Sequence, residues 1–265
     1  MRFGCCGSMV AKQPDKTGVE FVEQLKETGY DYIELSLSHM AAMAEEEFNR
    51  LKKRVAASGL VCEACNNFYP HDMRLTGSDV DMERIKSYTK IALDRAAQLG
   101  AQIVVFGSGP AKNVPEGFSL GEGWRQVVQL LRYVDGVARE NGIIIAIEPL
   151  RKTECNLVNS VSEAVMLAKE VDSNNIKVLV DYYHMIMENE DPSVMVDNEA
   201  YIRHVHFANP NGRVFPKEIH ENDYQPFIRR LVEVNYKNRI SVEAYSINLS
   251  QDLVKTLEFL RSVFY

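Results

Sequence analysis

Four residues able to bind a metal ion or move a proton stand at the ends of four successive strand-like runs. Glu148 closes Ile143-Ile144-Ile145-Ala146-Ile147, and Asp181 closes Ile176-Lys177-Val178-Leu179-Val180. His206 falls at the end of Ile202-Arg203-His204-Val205-His206-Phe207, and Glu243 follows Ile240-Ser241-Val242. Three carboxylates and one imidazole make a hard, oxygen-rich donor set suited to one divalent ion. Mn²⁺ is the foremost candidate, with Mg²⁺ or Co²⁺ as alternatives. An ion held by four side chains keeps room for two substrate oxygens, which suits a hydroxy-ketone. The ion would polarise the carbonyl and acidify the neighbouring C–H, and a carboxylate facing that carbon would remove the proton to give an enediolate.

Each of these residues has a plainer reading. An acid after a strand is often the N-cap of the next helix. Here the next helices are expected near Ser160 and Asp252, too far on for Glu148 and Glu243 to cap them. His204 and His206 are two apart on one strand and share a face. His206, nearer the C-terminal end, is the better ligand. His204 lies a layer deeper, as a polar core residue or a support for the ligands.

Four strand ends meet only on a scaffold that gathers them. Strand signals occur at Arg2–Cys6, Tyr32–Leu37, Val61–Phe68, Ile103–Gly109, Ile143–Pro149, Ile176–Tyr182, Ile202–Ala208 and Ile240–Tyr245. Helical periodicity lies between them, best seen in Asp81–Leu99, Gly121–Asn141 and Gln251–Val263. Gly29, Gly59, Gly100 and Gly142 stand where helices would end in a left-handed residue. Strands alternating with helices imply a parallel sheet, and 265 residues is close to the usual size of an eight-stranded α/β barrel. The expectation is one (β/α)₈ TIM-barrel domain over residues 1–265, with the four residues at its C-terminal mouth, where barrel active sites lie. A dinucleotide-binding fold is disfavoured, because Gly107-Ser108-Gly109 has no third glycine opening a helix. The loops 66–81 and 110–123 are candidates for substrate contacts or lids.

The composition narrows the class. A net charge of -7 argues against a protein that grips nucleic acid through phosphates. No apolar run approaches the length of a membrane span, and the first residues read as a strand rather than a signal peptide. The five cysteines are expected as reduced, buried thiols of a cytoplasmic protein, Cys62 and Cys65 included. A homo-oligomer is left open.

The segments I-A-I-E-P-L-R-K-T-E (145–154), V-D-Y-Y-H (180–184), H-V-H-F-A-N (204–209) and V-E-A-Y (242–245) resemble the sugar isomerase/epimerase barrels. That superfamily is similar to xylose isomerase and endonuclease IV, and includes the D-tagatose and D-psicose 3-epimerases and hydroxypyruvate isomerase. The resemblance implies a xylose isomerase-like TIM barrel with Glu148, Asp181, His206 and Glu243 as metal ligands. It also implies that Glu148 and Glu243 double as acid/base catalysts. Glu154, His184 and Arg213 match groups that hold substrate oxygens. In one departure from the 3-epimerase pattern, Asn209-Pro210-Asn211-Gly212 sets Arg213 one residue farther from His206. In another, the loops at 66–70 and 107–118 differ from the 3-epimerase loops.

The expected function is therefore metal-dependent isomerisation or epimerisation of a small ketose or keto-sugar. Two alternatives stay open: a metal-dependent lyase cleaving a 3-keto-glycoside by β-elimination, and a non-catalytic carbohydrate-binding or partner subunit. Phosphorylated substrates are disfavoured because Ser246–Ser250 offers no glycine for a phosphate grip, although Arg74, Lys112 or Arg213 could supply one. A Schiff-base aldolase is disfavoured because Lys177 stands at the start of its strand. A nuclease of the endonuclease IV type calls for more than the six histidines present and for a basic groove.

Overall fold

The computed structural model describes residues 1–264. Eight parallel strands close in chain order into a barrel. They are β1 (Arg2–Cys6), β2 (Tyr32–Ser36), β3 (Val61–Asn66), β4 (Ile103–Phe106), β5 (Ile144–Ile147), β6 (Ile176–Asp181), β7 (Ile202–Phe207) and β8 (Arg239–Val242). Pairing of β1 with β8 closes the ring. The main outer helices include Glu45–Ser58, Met82–Gln98, Leu120–Glu140, Val161–Val171 and Leu249–Phe264. The helix ends follow local chemistry. Asp81 and Ser160 accept from the main-chain N–H groups of Arg84 and Glu163 at 3.0 and 3.1 Å. All four glycines expected at helix ends have positive φ.

Most strands stop one to three residues earlier than the apolar runs suggest. Short helices begin there instead: Leu37–Ala42 directly after β2, Tyr182–Met187 directly after β6, and Gly109–Lys112 after β4. Apolar residues beyond the strands, Leu37 and Tyr182 among them, are buried in those turns rather than in the sheet, whereas Tyr245 beyond β8 is exposed. The last helix starts at Leu249, ahead of the expected position near Asp252.

Alternation along the strands sorts residues into two layers. Ile33, Leu35, Cys65, Val104, Ile145, Val178, Val205 and Val242 face outward and pack under the helices. Tyr32, Ala64, Ile103, Val105, Ala146 and Leu179 fill the barrel interior. Gly4 is required there, because a Cβ on it would lie 2.2 Å from the Tyr32 ring.

Two irregularities decide which polar residues point inward. Between β2 and β3 the register passes from Ile33↔Cys62 to Glu34↔Ala64, leaving Glu63 as an extra residue. Between β6 and β7 it passes from Val178↔Ile202 to Leu179↔His204, leaving Arg203 extra. Each bulge reverses the alternation beyond it. The first turns Ala64 and Asn66 inward and puts Cys62 and Cys65 together on the outer face. Their sulfurs lie 3.8 Å apart as buried, free thiols, consistent with the expected structural role. The second bulge turns His204 and His206 into the barrel.

At the N-terminal end of the barrel, Glu63 accepts from the Nε atoms of Arg2 and Arg239 at 3.1 and 2.6 Å, and Arg239 also reaches Gln102. This cluster ties β1, β3 and β8 together far from the mouth. Glu63→Ala strands the mostly buried Arg239, while Arg2 is half-exposed and can be rehydrated. The expected loss is about 2 kcal/mol, below the ~3–5 kcal/mol of a fully buried pair. Urea unfolding measures it, and metal uptake should match the wild type. Unchanged stability would show that the cluster does not brace the ring.

Candidate metal centre

The mouth of the barrel is built from the last inward position of successive strands. Glu148 follows β5, Asp181 ends β6, His206 is the last inward residue of β7, and Glu243 follows β8. All four are buried, and one donor atom from each lies within 4.8 Å of all the others. Donors on opposite sides of a single ion stand about twice the metal–oxygen bond apart, roughly 4–5 Å. The spacing and the donor types therefore fit one hard divalent ion.

His206 is held by carboxylates on both ring nitrogens. Its Nε2 meets Glu34 Oε1 at 3.0 Å, while its Nδ1 faces Glu148 Oε1 and Glu243 Oε2, each at 3.2 Å. A carboxylate on the far nitrogen of an imidazole fixes the ring and raises its basicity, which is the usual support for a histidine ligand. Glu34 was not singled out from the sequence. It is fully buried on β2, and its other oxygen bonds His204 Nε2 at 2.8 Å and Ser241 Oγ at 2.6 Å. His204 is thus the deeper support anticipated as one of its two readings. The available signal for Glu34 was a carboxylate inside the apolar run Tyr32–Leu35, which has to find partners if buried.

Asp181 serves two ends. Its Oδ1 accepts from Tyr183 N at 2.7 Å and caps the short helix Tyr182–Met187, leaving Oδ2 toward the centre. Capping and ligation are thus compatible at this position. Glu243 Oε1 accepts from Asn66 Nδ2 at 3.0 Å. Glu148 depends on Gly107, because a Cβ there would lie 2.2 Å from Glu148 Oε2. Asn66 and Gly107 lie in segments the sequence marked, but their roles beside the two glutamates were not legible there, since only ring closure brings them together.

The electrostatics follow from crowding. Burial and the nearby Glu243 push the Glu148 carboxyl up, only partly offset by His206. Burial acts the same way on Glu243, but His206 and Arg213 outweigh it and hold that carboxyl well below the usual range. Burial disfavours a charged His206, yet Glu243 and Glu34 outweigh it and raise its affinity for positive charge. Glu34 is held low despite burial by the two imidazoles.

A cavity of about 500 Å³ opens above the centre, lined in part by Glu148, Glu154, His184, Arg213, Glu243 and Tyr245. The remaining sequence-predicted residues meet here. His184 Nδ1 accepts from Arg151 N at 3.3 Å, which turns Nε2 toward Asp181 Oδ2 at 3.6 Å. Glu154 pairs with Arg151 at 2.6 Å and stands 4.0 Å from Arg213. Arg213 lies over the Tyr183 ring at 4.6 Å, pairs with Glu243, and reaches Asp181 at 3.4 Å. The loop before it is a hairpin: Asn209 and Val214 exchange main-chain hydrogen bonds, and Gly212 and Arg213 both take positive φ. The two other basic residues considered for phosphate binding do not line the cavity. Arg74 donates to the carbonyls of Pro110 and Asn113, and Lys112 is wholly buried.

The sequence matches the xylose isomerase-like TIM barrel family over residues 22–263. The chain belongs to this family. Within it, the chain is similar to the 3-dehydro-D-guloside 4-epimerase of Escherichia coli (strain K12). The two are 25% identical over 241 residues, 85% of this chain and 86% of that one. The ketose 3-epimerase of Arthrobacter globiformis is 23% identical over 273 residues, covering 99% and 90%. Among solved structures, the D-psicose 3-epimerase with D-tagatose from Clostridium cellulolyticum H10 superposes with a TM-score of 0.86 at 20% identity. That superposition covers 100% of this chain and 99% of the other, and it shows the shared family fold.

If Glu34 orients His206 as a ligand, Glu34→Gln keeps the shape but weakens the hold and the basicity of the ring. Mn²⁺ affinity measured by calorimetry should fall roughly 10–100-fold. Wild-type affinity in this variant would remove Glu34 from any role in the centre.

Proposed function

We propose that this protein is a divalent-metal-dependent sugar epimerase or isomerase that shifts a proton next to the ketone of an uncharged ketose or keto-sugar. The observation that carries the reading is the convergence of Glu148, Asp181, His206 and Glu243 donor atoms beneath an open cavity. These four would hold the ion, with Mn²⁺ expected and Mg²⁺ or Co²⁺ as alternatives. When bound, the ion supplies Lewis-acid polarisation of the substrate's oxygens.

The chain's own residues do the rest. Glu148 and Glu243 follow β5 and β8, which are not neighbours in the ring, so they approach a substrate from different sides. One carboxylate takes the proton from the carbon beside the ketone, leaving an enediolate, and the other returns a proton to the opposite face, inverting the centre. Arg213 is mostly buried but lines the cavity, so its guanidinium can meet a substrate oxygen there. His184 Nε2 and Glu154 face the same space and complete the grip on the sugar. Arg213, the cation among the residues lining the cavity, is already surrounded by Asp181, Glu154 and Glu243. A neutral sugar is therefore favoured over a phosphorylated one. Similarity to epimerases of ketoses and of a 3-dehydro-glycoside supports the same class. Five free cysteines are in keeping with a cytoplasmic enzyme, acting alone or as a homo-oligomer.

The size of the cavity favours a second reading, β-elimination from a 3-keto-glycoside. A hexose of roughly twelve non-hydrogen atoms fills under ~360 Å³, even allowing each atom the ~30 Å³ of a liquid water molecule. The cavity of about 500 Å³ leaves room for a substituent. Incubating keto-sugars and keto-glycosides in D₂O with Mn²⁺ separates the two: carbon-bound deuterium by NMR marks epimerisation, and aglycone release marks elimination. Neither signal with any sugar would refute both.

Glu148→Gln and Glu243→Gln should abolish deuterium exchange even where metal remains, because an amide offers an oxygen but accepts no proton near neutral pH. Exchange at the wild-type rate in either variant would take that residue out of the acid/base pair. Alanine at Glu154, His184 or Arg213 should retain metal while lowering kcat/KM by about 2–4 kcal/mol, as when one partner of a buried charged hydrogen bond is lost. Metal loss from the His184 or Glu154 variant would instead mark that residue as part of the metal shell.

A further inference from the structure

The short helix Gly109–Lys112 ends in a lysine whose side chain is entirely buried. A buried lysine normally has a carboxylate partner. Among the described residues, Lys112 has no carboxylate within 4 Å of its Nζ. That atom lies over the Phe106 ring at 5.5 Å and donates to the main-chain carbonyl of Glu148 at 3.4 Å. The carbonyl has no other donor among the described residues: β5 has ended at Ile147, Glu148 N still bonds Phe106 O, and no main-chain N–H reaches Glu148 O.

We propose that Lys112 is a positioning residue for Glu148, fixing its main-chain carbonyl so that its carboxylate points into the metal centre. Glu148 is the point where the chain leaves the sheet, and Pro149 after it cannot continue a ladder. Without a hold on the carbonyl, the peptide after Glu148 can rotate and carry the side chain with it. Two neighbouring pieces of the same β4 loop then control this one residue. Gly107 leaves space for its Oε2, and Lys112 holds its carbonyl. The lysine is itself held in place by its main-chain N–H to Ser108 O at 2.9 Å, and by Thr76 Oγ1 donating to its carbonyl at 3.2 Å. Burial lowers the pKa of the amine. Amine and ammonium both keep an N–H to donate, so the contact does not require the charge.

This inference rests on the reading of Glu148 as ligand and base, and the test separates the two. Lys112→Met keeps the length and apolar stem of the side chain and removes the donor. Mn²⁺ binding and thermal unfolding are measured for the wild type, Lys112→Met, Glu148→Ala and the double variant. The expected result is that Lys112→Met unfolds near the wild-type temperature, because removing a buried amine that has no carboxylate partner offsets the donor lost by the Glu148 carbonyl. It should still bind Mn²⁺ roughly 10–100-fold more weakly. In the Glu148→Ala background, where residue 148 has no ligand to place, the same change should alter Mn²⁺ affinity by no more than about twofold. A lysine needed only for the fold gives the opposite pattern, with lower unfolding temperature and equal losses in both backgrounds, and that pattern overturns the inference. So does a crystal structure of Lys112→Met in which Glu148 has not moved. If the wild type binds no Mn²⁺, the proposed function fails, and the position of Glu148 in that crystal structure alone decides the role of Lys112. Lys112→Leu replaces the methionine variant if the latter does not fold, and failure of both to fold makes the lysine structural and overturns the proposal.

Discussion

Three buried carboxylates share one end of a closed ring, and that crowding is the constraint on which the site's organisation depends. Two like charges about 4 Å apart repel by roughly 4 kcal/mol at the effective dielectric of a protein near its surface. The ring does not let them separate, because each hangs from a strand locked to its neighbours on both sides. Relief comes from positive charge brought to the same spot. Arg213 stacks on Tyr183 and bonds Glu243, and His206 lies between Glu34 on one side and the two catalytic candidates on the other. The carboxylates raise the affinity of both groups for positive charge. A field that does so at an imidazole and a guanidinium also favours a divalent cation. Stability and metal affinity are therefore opposed aspects of one arrangement.

Backbone irregularity, more than side-chain choice, aims that charge. Without the bulge at Arg203, regular pairing would turn Arg203 inward and His204 and His206 out under the helices. The bulge at Glu63 has two consequences of the same kind. It sends Asn66 inward to Glu243, and it separates two glutamates that would otherwise stand opposite each other, with Glu34 facing the histidines and Glu63 meeting Arg2 and Arg239 at the far end. One extra residue thus assigns one acid to the candidate centre and the other to bracing the ring.

The sequence disclosed what is local. Strand and helix alternation, the helix-ending glycines and the acids at strand ends follow short-range patterns, and the barrel and the four converging residues could be read from them. Strand ends could not, because apolar residues such as Leu37 and Phe68 remain buried after the ladder stops, and burial rather than pairing sets their character. The supporting residues were hidden for a different reason. Glu34 meets His206 across 172 positions of sequence, and Asn66 meets Glu243 across 177. No spacing rule connects such pairs before the ring is closed. Gly107 is hidden further, since what matters is the space it leaves for Glu148 Oε2.

Arg213 shows how loop geometry places a side chain in the cavity. The chain turns here in a hairpin closed by Asn209 and Val214, with consecutive left-handed residues at Gly212 and Arg213. A non-glycine residue at positive φ is disfavoured, and it persists where its surroundings over-determine it. Those surroundings are present: the Arg213 carbonyl accepts from Tyr245 N at 2.8 Å, its guanidinium lies on Tyr183, and three acids face it. The bond to Tyr245 ties the loop after β7 to the residue that lines the cavity just beyond Glu243. The placement of this arginine and that of the β8 glutamate are consequently set together. The loop's hairpin and its bond to Tyr245 therefore hold Arg213 and Glu243 side by side.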